Sequence, residues 1–253
     1  GDVYKRQNLS YTVALSRNNT FTNPIFPLGG SEFVLSARFS LPYSLWNGVD
    51  YANLGDLEKF QDDDGNPDPA KIEQEKFKWL EFYKIKFKGS WYTRLFDKLV
   101  LRTHTEFGFL GAFNNDRGVI PFDRFFLGGD GMSQYAMDGR ETISLRGYPN
   151  QSLSSQDGST IYNRFSLELR YPITLKPAAS IFGLTFMETG QGYNNFREFN
   201  PFNGKRSVGL GLRIFMPAFG LLGIDFGYGL DSVNEFNLEP NGWETHFVIG
   251  QQF

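Results

Sequence analysis

Hydrophobic and polar residues alternate along nine segments of this chain. A strict period of two predicts β-strands, and the segments, 7 to 12 residues long, are close to the 9–11 residues with which a tilted strand crosses a bilayer. The last segment places Phe247, Ile249 and Phe253 on one face and polar residues or glycine on the other. In the third segment the alternation begins at Phe77 and Trp79, so we expect a strand from there. The nine segments are residues 9–16, 32–41, 77–88, 99–109, 165–171, 181–190, 208–216, 224–230 and 244–253.

The connections between these segments alternate between short and long. The longest ones are residues 43–75 and 114–160, whereas the short ones lie near 96–98, 172–179 and 217–220. A meander with short turns at one end and long loops at the other is typical of a transmembrane barrel, and Greek-key sandwiches lack this order. The predicted fold is therefore an all-β, transmembrane, antiparallel up-and-down β-barrel. It occupies residues 8–253, after an unstructured start over residues 1–7.

Composition narrows the class of protein further. The chain has 253 residues, no cysteine, a net charge of −3 and a mean hydropathy of −0.36. The charge gives no basic surface for nucleic acid, and a low mean hydropathy is compatible with a barrel because only alternate residues meet lipid. No apolar run reaches the roughly 18 residues of a transmembrane helix. The first residues lack the apolar core of a secretory signal, so we expect the chain to be a fragment.

Motifs for catalysis or metal binding are few. His104 and His246 have no metal-ligand spacing, and no Gly-x-Ser-x-Gly motif occurs. The glycine-rich residues 128–131 lack the Lys-Ser/Thr of a phosphate loop and are predicted to form a flexible turn. The acidic residues 62–68 would need a calcium ligand at Phe60 to match an EF-hand, so we interpret them as a solvated surface loop. We expect no enzymatic activity, no cofactor and no metal.

The long loop over residues 114–160 carries a recognisable pair of motifs. Phe125-Phe126-Leu127-Gly128-Gly129 is followed by the tetrapeptide Leu145-Arg146-Gly147-Tyr148, which we call the latch. The pair resembles the BamA family of outer-membrane barrel assembly proteins (the bacterial surface antigen and insertase superfamily), in which an aromatic-x-Gly-Gly segment precedes such a tetrapeptide. The resemblance implies that this chain supplies the last nine strands of a barrel of about sixteen. It also implies that the latch folds back into the lumen.

Other landmarks of that family follow in the same order along the chain. Residues 186–190 resemble its Phe-x-Asp-x-Gly motif, with Glu188 in place of the aspartate. Glu168 resembles an acidic position on the preceding strand, and residues 217–220 resemble a tight Pro-x-Gly turn. Gly250 stands where the closing strand of the family tends to kink.

Arg146 needs a fixed acceptor if so long a loop is to be ordered. Glu188 and Glu168 lie on the two strands that follow the loop, and an Arg–carboxylate pair in a partly desolvated lumen is stronger than a surface pair. The hypothesis is that Arg146 docks the loop by pairing with Glu188, with Glu168 in support. The alternative is a solvated loop arginine.

An inward Glu188 has a consequence for its neighbours on the strand. Phe186 and Leu184 share its parity, so both apolar side chains would also face the lumen. We expect the docked latch to cover them with Leu145 and Tyr148.

The resemblance also implies a function. Such a protein would fold and insert β-barrel clients into the bacterial outer membrane, by templating strands at a lateral seam that includes Phe247, Ile249, Gly250 and Phe253. A glycine weakens strand pairing, although Gly250 could also be an ordinary inward-facing glycine. The implied partners are unfolded outer-membrane clients, accessory assembly lipoproteins and outer-membrane lipid. The alternatives are a related translocation barrel or a plain porin or receptor.

Overall fold

The computed structural model describes residues 6–20, 23–131, 140–176, 178–233 and 239–250, and β-strands dominate it. In chain order the strands are β1 (Ser10–Asn18), β2 (Gly30–Ser40), β3 (Tyr83–Phe96), β4 (Leu99–Gly111), β5 (Phe125–Leu127), β6 (Glu141–Ile143), β7 (Ile161–Lys176), β8 (Ala179–Tyr193), β9 (Lys205–Met216), β10 (Gly220–Gly229) and β11 (Gly242–Ile249). One α-helix, α1 (Pro69–Phe77), lies among the described residues, together with short 3-10 turns. None of the described helices is long and apolar enough to cross a membrane.

Nine of these strands form one sheet in the order β1-β2-β3-β4-β7-β8-β9-β10-β11. Each strand therefore lies beside its neighbour in sequence once the small parallel pair β5–β6 is set aside. The registers run antiparallel, from Ile161 opposite Tyr193 in β7–β8 to Gly229 opposite Gly242 in β10–β11. The predicted all-β up-and-down meander, with nine strands in one sheet and alternating short and long connections, is confirmed.

The two faces of the sheet differ in polarity. On β10, Asp225 is fully buried while the next residue, Phe226, is exposed; on β11, His246 is buried and Phe247 is exposed. The same alternation exposes apolar side chains all along the outer face, including Leu167, Leu169, Tyr171, Ile173, Met187, Leu210 and Ile249. Charged groups inside and hydrocarbon outside is the polarity expected of a sheet that meets lipid.

By contact density the chain divides into two compact units, and the smaller one includes the long connection between β2 and β3. Tyr51, Leu54 and Phe60 form its core, with Val49 and Ile72 packed around them. The connection is therefore a folded element with its own apolar centre.

The predicted start of the third strand was wrong. α1 ends at Phe77 and β3 begins at Tyr83, so neither Phe77 nor Trp79 is in the strand. Asp68 caps the helix by accepting the backbone N–H groups of Ala70 and Lys71, and Pro69 fits the first helical turn. These local signals outweigh the alternation. The prediction of an unstructured start was also too long, because Gln7 already forms a bridge with Trp79.

A buried ion pair secures this connection within the smaller unit. Arg117 donates to Glu81 at 2.7 Å, and both side chains are almost fully buried. The same guanidinium donates to the carbonyls of Lys76 and Trp79, and Glu81 also accepts the backbone N–H and hydroxyl of Ser44. Sequence reasoning did not identify this pair, because 36 residues separate its members.

The larger unit has a hydrophobic cluster on the inner face, near the end that carries the short turns. Phe26, from the β1–β2 connection, packs edge-on against Phe182 with ring centroids 5.2 Å apart. Tyr92, Val100, Leu184 and Phe186 complete the buried cluster, and Ile25 and Leu28 lie against it.

Candidate functional site

The long loop between β4 and β7 is organised by its two motifs, which bind each other. β5 and β6 pair in parallel, and beyond them Gly129 and Leu145 exchange two backbone hydrogen bonds of 3.2 and 3.0 Å. The flexible turn predicted at residues 128–131 is therefore wrong at its first two residues. A Cβ on Gly129 would lie 1.6 Å from Asn150 Oδ1, and one on Gly128 would lie 2.5 Å from the Pro149 oxygen. Positive φ at both positions also requires glycine.

Arg146 lies at the centre of a buried ion network. Its Nη2 donates to Glu188 Oε1 at 2.5 Å and to Glu168 Oε1 at 2.7 Å, which are the two partners expected from the sequence. A third carboxylate, Asp225 on β10, accepts from Nη1 at 3.3 Å. Burial alone would lower the pKa of Arg146, but the charges of Glu188, Glu168 and Asp225 outweigh it and raise that pKa. The guanidinium thus binds β7, β8 and β10 while remaining charged.

The backbone of the latch repeats the contact to β8. The Arg146 N–H donates to Glu188 Oε2 at 3.0 Å, so both oxygens of this carboxylate bind the same residue. The guanidinium carbon of Arg146 also lies 3.7 Å from the centre of the Phe186 ring. Such a cation–π contact is stronger when it is desolvated, as it is here.

The apolar residues that share the parity of Glu188 do face inward, but the latch covers them differently from the prediction. Phe186 is covered by the guanidinium of Arg146, and Leu184 belongs to the cluster around Phe26. Leu145 instead lies near Gly190, two residues beyond Glu188 on β8. The Tyr148 hydroxyl bonds to the carbonyl of Arg206 on β9. A planar cation can cover an aromatic ring as well as a hydrocarbon can, which the sequence argument overlooked.

Each carboxylate that binds Arg146 also has an arginine partner from the strands. Arg164 donates to Glu188 at 2.6 Å, Arg170 to Glu168 at 2.5 Å, and Arg213 to Asp225 at 2.7 Å. The network contains five arginines (Arg102, Arg146, Arg164, Arg170, Arg213) and four carboxylates (Glu106, Glu168, Glu188, Asp225), with the half-exposed Lys88 beside Glu106. Without Arg146, four arginines face four carboxylates. The latch therefore adds a cation to strands whose carboxylates are already paired.

Gly147 brings the latch backbone into direct contact with β10. Its φ is +86°, and a Cβ there would lie 2.9 Å from Ser207 Cβ and 3.0 Å from the Gly229 nitrogen. On the strand, a Cβ on Gly227 would lie 2.6 Å from the Gly147 nitrogen. Such a close approach of loop and strand is possible because all three residues lack side chains.

Four further hydrogen bonds fix Gly147 and Tyr148. The Gly147 N–H donates to His246 Nε2 at 2.8 Å, and its carbonyl accepts from Asn241 Nδ2 at 2.9 Å. The Tyr148 hydroxyl donates to the Arg206 carbonyl at 2.6 Å and accepts from the Asp231 N–H at 3.2 Å. Burial raises the pKa of Tyr148 to about 12, so the phenol stays a neutral donor at physiological pH.

The inner face also holds a serine, a histidine and a glutamate in hydrogen-bonded series, which sequence reasoning missed. Ser90 Oγ lies 2.8 Å from His104 Nδ1, and His104 Nε2 lies 2.8 Å from Glu106 Oε1. Arg102 donates to Ser90 Oγ at 3.1 Å and to Glu168 at 3.4 Å, so the serine is joined to the ion network. Glu106 is also engaged by Arg164. We interpret the series as part of the ion network.

The residues predicted to form the seam lie at the far end of the sheet order. Phe247 and Ile249 are exposed on the outer face of β11. Gly250 follows the strand with φ +118°, and its N–H donates to the Leu221 carbonyl at 3.0 Å. Phe253 lies outside the described residues. A residue with a side chain would be strained at this φ, so position 250 favours glycine. The regular strand ends just before it, at Ile249.

An outer face for lipid, an ion-paired inner face and a long loop folded onto it define a transmembrane β-barrel protein of the outer-membrane class. The chain belongs to the Omp85 superfamily, whose domain matches residues 4–253. Membership supports an outer-membrane location.

A solved relative has the same fold. The crystal structure of BamA from Haemophilus ducreyi lacking POTRA domains 1–3 is similar, with a TM-score of 0.60 and 19% sequence identity. The match covers 94% of this chain and 41% of that one, so this chain spans less than half its length. The BamA-family resemblance inferred from the motifs is confirmed. A comparison with curated proteins gave no match.

Proposed function

We propose that this chain belongs to an insertase that folds client β-barrel proteins into the outer membrane by strand templating at β11. The observation that carries the proposal is the form of this strand. The described part of β11 has 8 residues, whereas the other eight strands of the sheet have 9 to 16, and β11 stands at the end of the strand order beside β10. A short strand forms few backbone hydrogen bonds, and the N–H and C=O groups of an open edge can pair with an incoming strand.

Strand lengths also support a role in thinning the bilayer. At about 3.3 Å per residue and a tilt of about 45°, the 8 residues of β11 span about 19 Å of membrane, whereas the 16 of β7 span about 37 Å. The hydrocarbon core is about 30 Å thick. In this proposal, lipid thins beside the short described part of β11, which lowers the barrier to inserting a new strand there.

No covalent step is part of this proposal, and none of the contacts described above needs a cofactor. The partners would be unfolded client barrels at the edge of β11, accessory lipoproteins, and lipid on the exposed apolar face. Superfamily membership supports a barrel of the insertase or translocase kind, and it is also compatible with translocation of a passenger protein. The templating step rests on the form of β11.

Disulfide trapping tests the templating step directly. Phe247→Cys places a thiol on β11, and Met187→Cys places a matched thiol on β8; both parent side chains are exposed on the outer face. In the full-length protein reconstituted into liposomes, we expect Phe247→Cys, and not Met187→Cys, to cross-link to a cysteine in the last strand of a folding client. The trapped client should then mature into a protease-resistant barrel.

Other outcomes separate the alternatives. Equal cross-linking at both positions, or none during active client folding, would refute templating at β11. A passenger that crosses the bilayer instead of staying in it would indicate a translocase. High conductance with no effect on client folding would indicate a plain porin.

A further inference from the structure

Gly147 of the latch is held at both of its backbone polar atoms by residues of the β11 segment. Its N–H donates to His246 Nε2 at 2.8 Å, and its carbonyl accepts from Asn241 Nδ2 at 2.9 Å. His246 lies in the middle of β11, and Asn241 directly precedes the strand. The Arg146 side chain, in contrast, binds carboxylates on β7, β8 and β10. The latch therefore meets the last strand through the backbone of its glycine.

We propose that His246 and Asn241 form a clamp through which the docked latch holds β11 in register against β10. This inference rests on the proposed function, in which β11 must part from its neighbour to engage a client. His246 is here a positioning residue that acts on the strand through the latch. A client strand that displaces β11 would then break the clamp, and loss of the latch would loosen β11.

The geometry of His246 suits this role. It is 4% exposed, so its bond to Gly147 is shielded from competing water. Because Nε2 accepts the amide proton, the ring proton must be on Nδ1 and the imidazole neutral. The side chain lies on the inner face, opposite the exposed Thr245 and Phe247, so it contributes to the loop contact while they face outward.

The clamp can form because glycines let the latch backbone lie close to β10. Gly147 rests against Gly227 and Gly229, where added Cβ atoms would approach its nitrogen and oxygen to 2.6 and 2.5 Å. The latch backbone therefore lies directly on β10, close enough for a side chain of the next strand to bond with it. Larger residues at these strand positions would lift the loop out of reach of His246.

The clamp makes docking and strand pairing thermodynamically linked. β10 and β11 pair over eight residues, from Leu222–Ile249 to Gly229–Gly242, and the clamp adds two hydrogen bonds from a third element. If the docked latch favours paired β11, then paired β11 must favour the docked latch by the same factor. Each event should be measurable from the other.

Hydrogen–deuterium exchange on the full-length protein in lipid nanodiscs, without a client, tests the linkage. We expect His246→Ala to speed amide exchange in β11 by about two- to tenfold, the range for one lost hydrogen bond, and to leave β7–β8 protected. His246→Gln should restore much of the protection, because its amide oxygen can accept from Gly147. Thr245→Ala, on the exposed face of the same strand, is the matched control.

Two further variants keep the test decisive if His246→Ala disturbs folding. Asn241→Ala removes the second bond without opening a cavity at the buried ring, and it should also speed exchange in β11. Arg146→Ala undocks the latch without touching β11, and it should have the same effect at a distance.

The outcomes are distinct from those of the proposed function. Unchanged β11 exchange in Arg146→Ala, although residues 141–148 become unprotected, would overturn the clamp. So would equal β11 exchange in His246→Gln and His246→Ala. Cross-linking of clients to Phe247→Cys could still succeed in either case, and a failure there would leave the exchange result intact.

Discussion

Replacing Arg146 with alanine removes the cation that the latch brings to the ion network. The lost contacts are two short bonds, to Glu188 and Glu168, one longer bond to Asp225, and the stacking on Phe186. The backbone hydrogen bond from residue 146 to Glu188 can remain. We expect the latch to undock more often, without a collapse of the sheet.

The magnitude follows from the pairing within the network. Two buried bonds to charged groups would contribute about 3–6 kcal/mol at about 1.5–3 each. When the latch undocks in the unmodified protein, however, Arg146 regains its hydration. The three carboxylates also keep their other arginine partners: Arg164 for Glu188, Arg170 for Glu168 and Arg213 for Asp225. We therefore expect a loss of only about 2–3 kcal/mol in docking free energy, which is about 30- to 150-fold in the docking equilibrium.

Neutralising Glu188 should weaken docking of the latch more than removing the Arg146 side chain does. Glu188→Gln leaves five arginines with three carboxylates, and Arg146 and Arg164 both lose the charge they share. Breaking a buried pair in this way costs about 3–5 kcal/mol, because a charge stays buried without compensation. We therefore expect Glu188→Gln to destabilise the docked latch more than Arg146→Ala does.

Amide exchange over residues 141–148 measures both variants in lipid nanodiscs, and thermal unfolding reports on the sheet as a whole. Arg197→Ala, an exposed arginine of the β8–β9 connection, is the control and should change neither value. If Arg146→Ala leaves exchange in the latch unchanged, Arg146 does not dock the loop. If Arg146→Ala speeds exchange in the latch as much as Glu188→Gln does, the carboxylates are not paired with the strand arginines in the way this prediction requires.

Three other predictions concern the same molecule. Gly129→Ala should destabilise the loop by more than the roughly 1–2 kcal/mol of left-handed strain, because the added Cβ displaces Asn150, and faster amide exchange over residues 141–148 should show it. Arg117→Ala should expose residues 41–82 to protease by stranding Glu81, while β7–β11 stay protected; an unchanged cleavage pattern would contradict this. The charge swap of Arg146→Glu with Glu188→Arg should restore little latch protection, because the new arginine would face Arg164, and full recovery would disprove that conflict.

Much of this architecture could be predicted because a strand has a simple period. Alternation fixed which side of β7 and β8 each residue faces, so Glu168 and Glu188 could be named as partners of Arg146. The order of short and long connections then gave the meander. Both arguments need only neighbouring residues in the sequence.

The missed features depend on register and on contacts distant in the chain. Alternation in the segment 224–230 puts Asp225 on the face opposite Phe226, but the height of Asp225 relative to the latch follows from its pairing with Gly211 and His246. The bridge between Gly129 and Leu145 likewise joins segments whose separation gave no hint of contact. The α1 helix was missed for a different reason. Hydrophobic and polar residues alternate at its end as they do in a strand.

The cluster around Phe26 has a consequence for permeation. Aromatic and aliphatic groups of Phe26, Phe182 and Val100 line the inner face near the short turns, and each is almost fully buried. An ion held against these three side chains would lose water and gain no polar group from them in return. They therefore provide no hydrated lining of the kind through which a porin passes solutes.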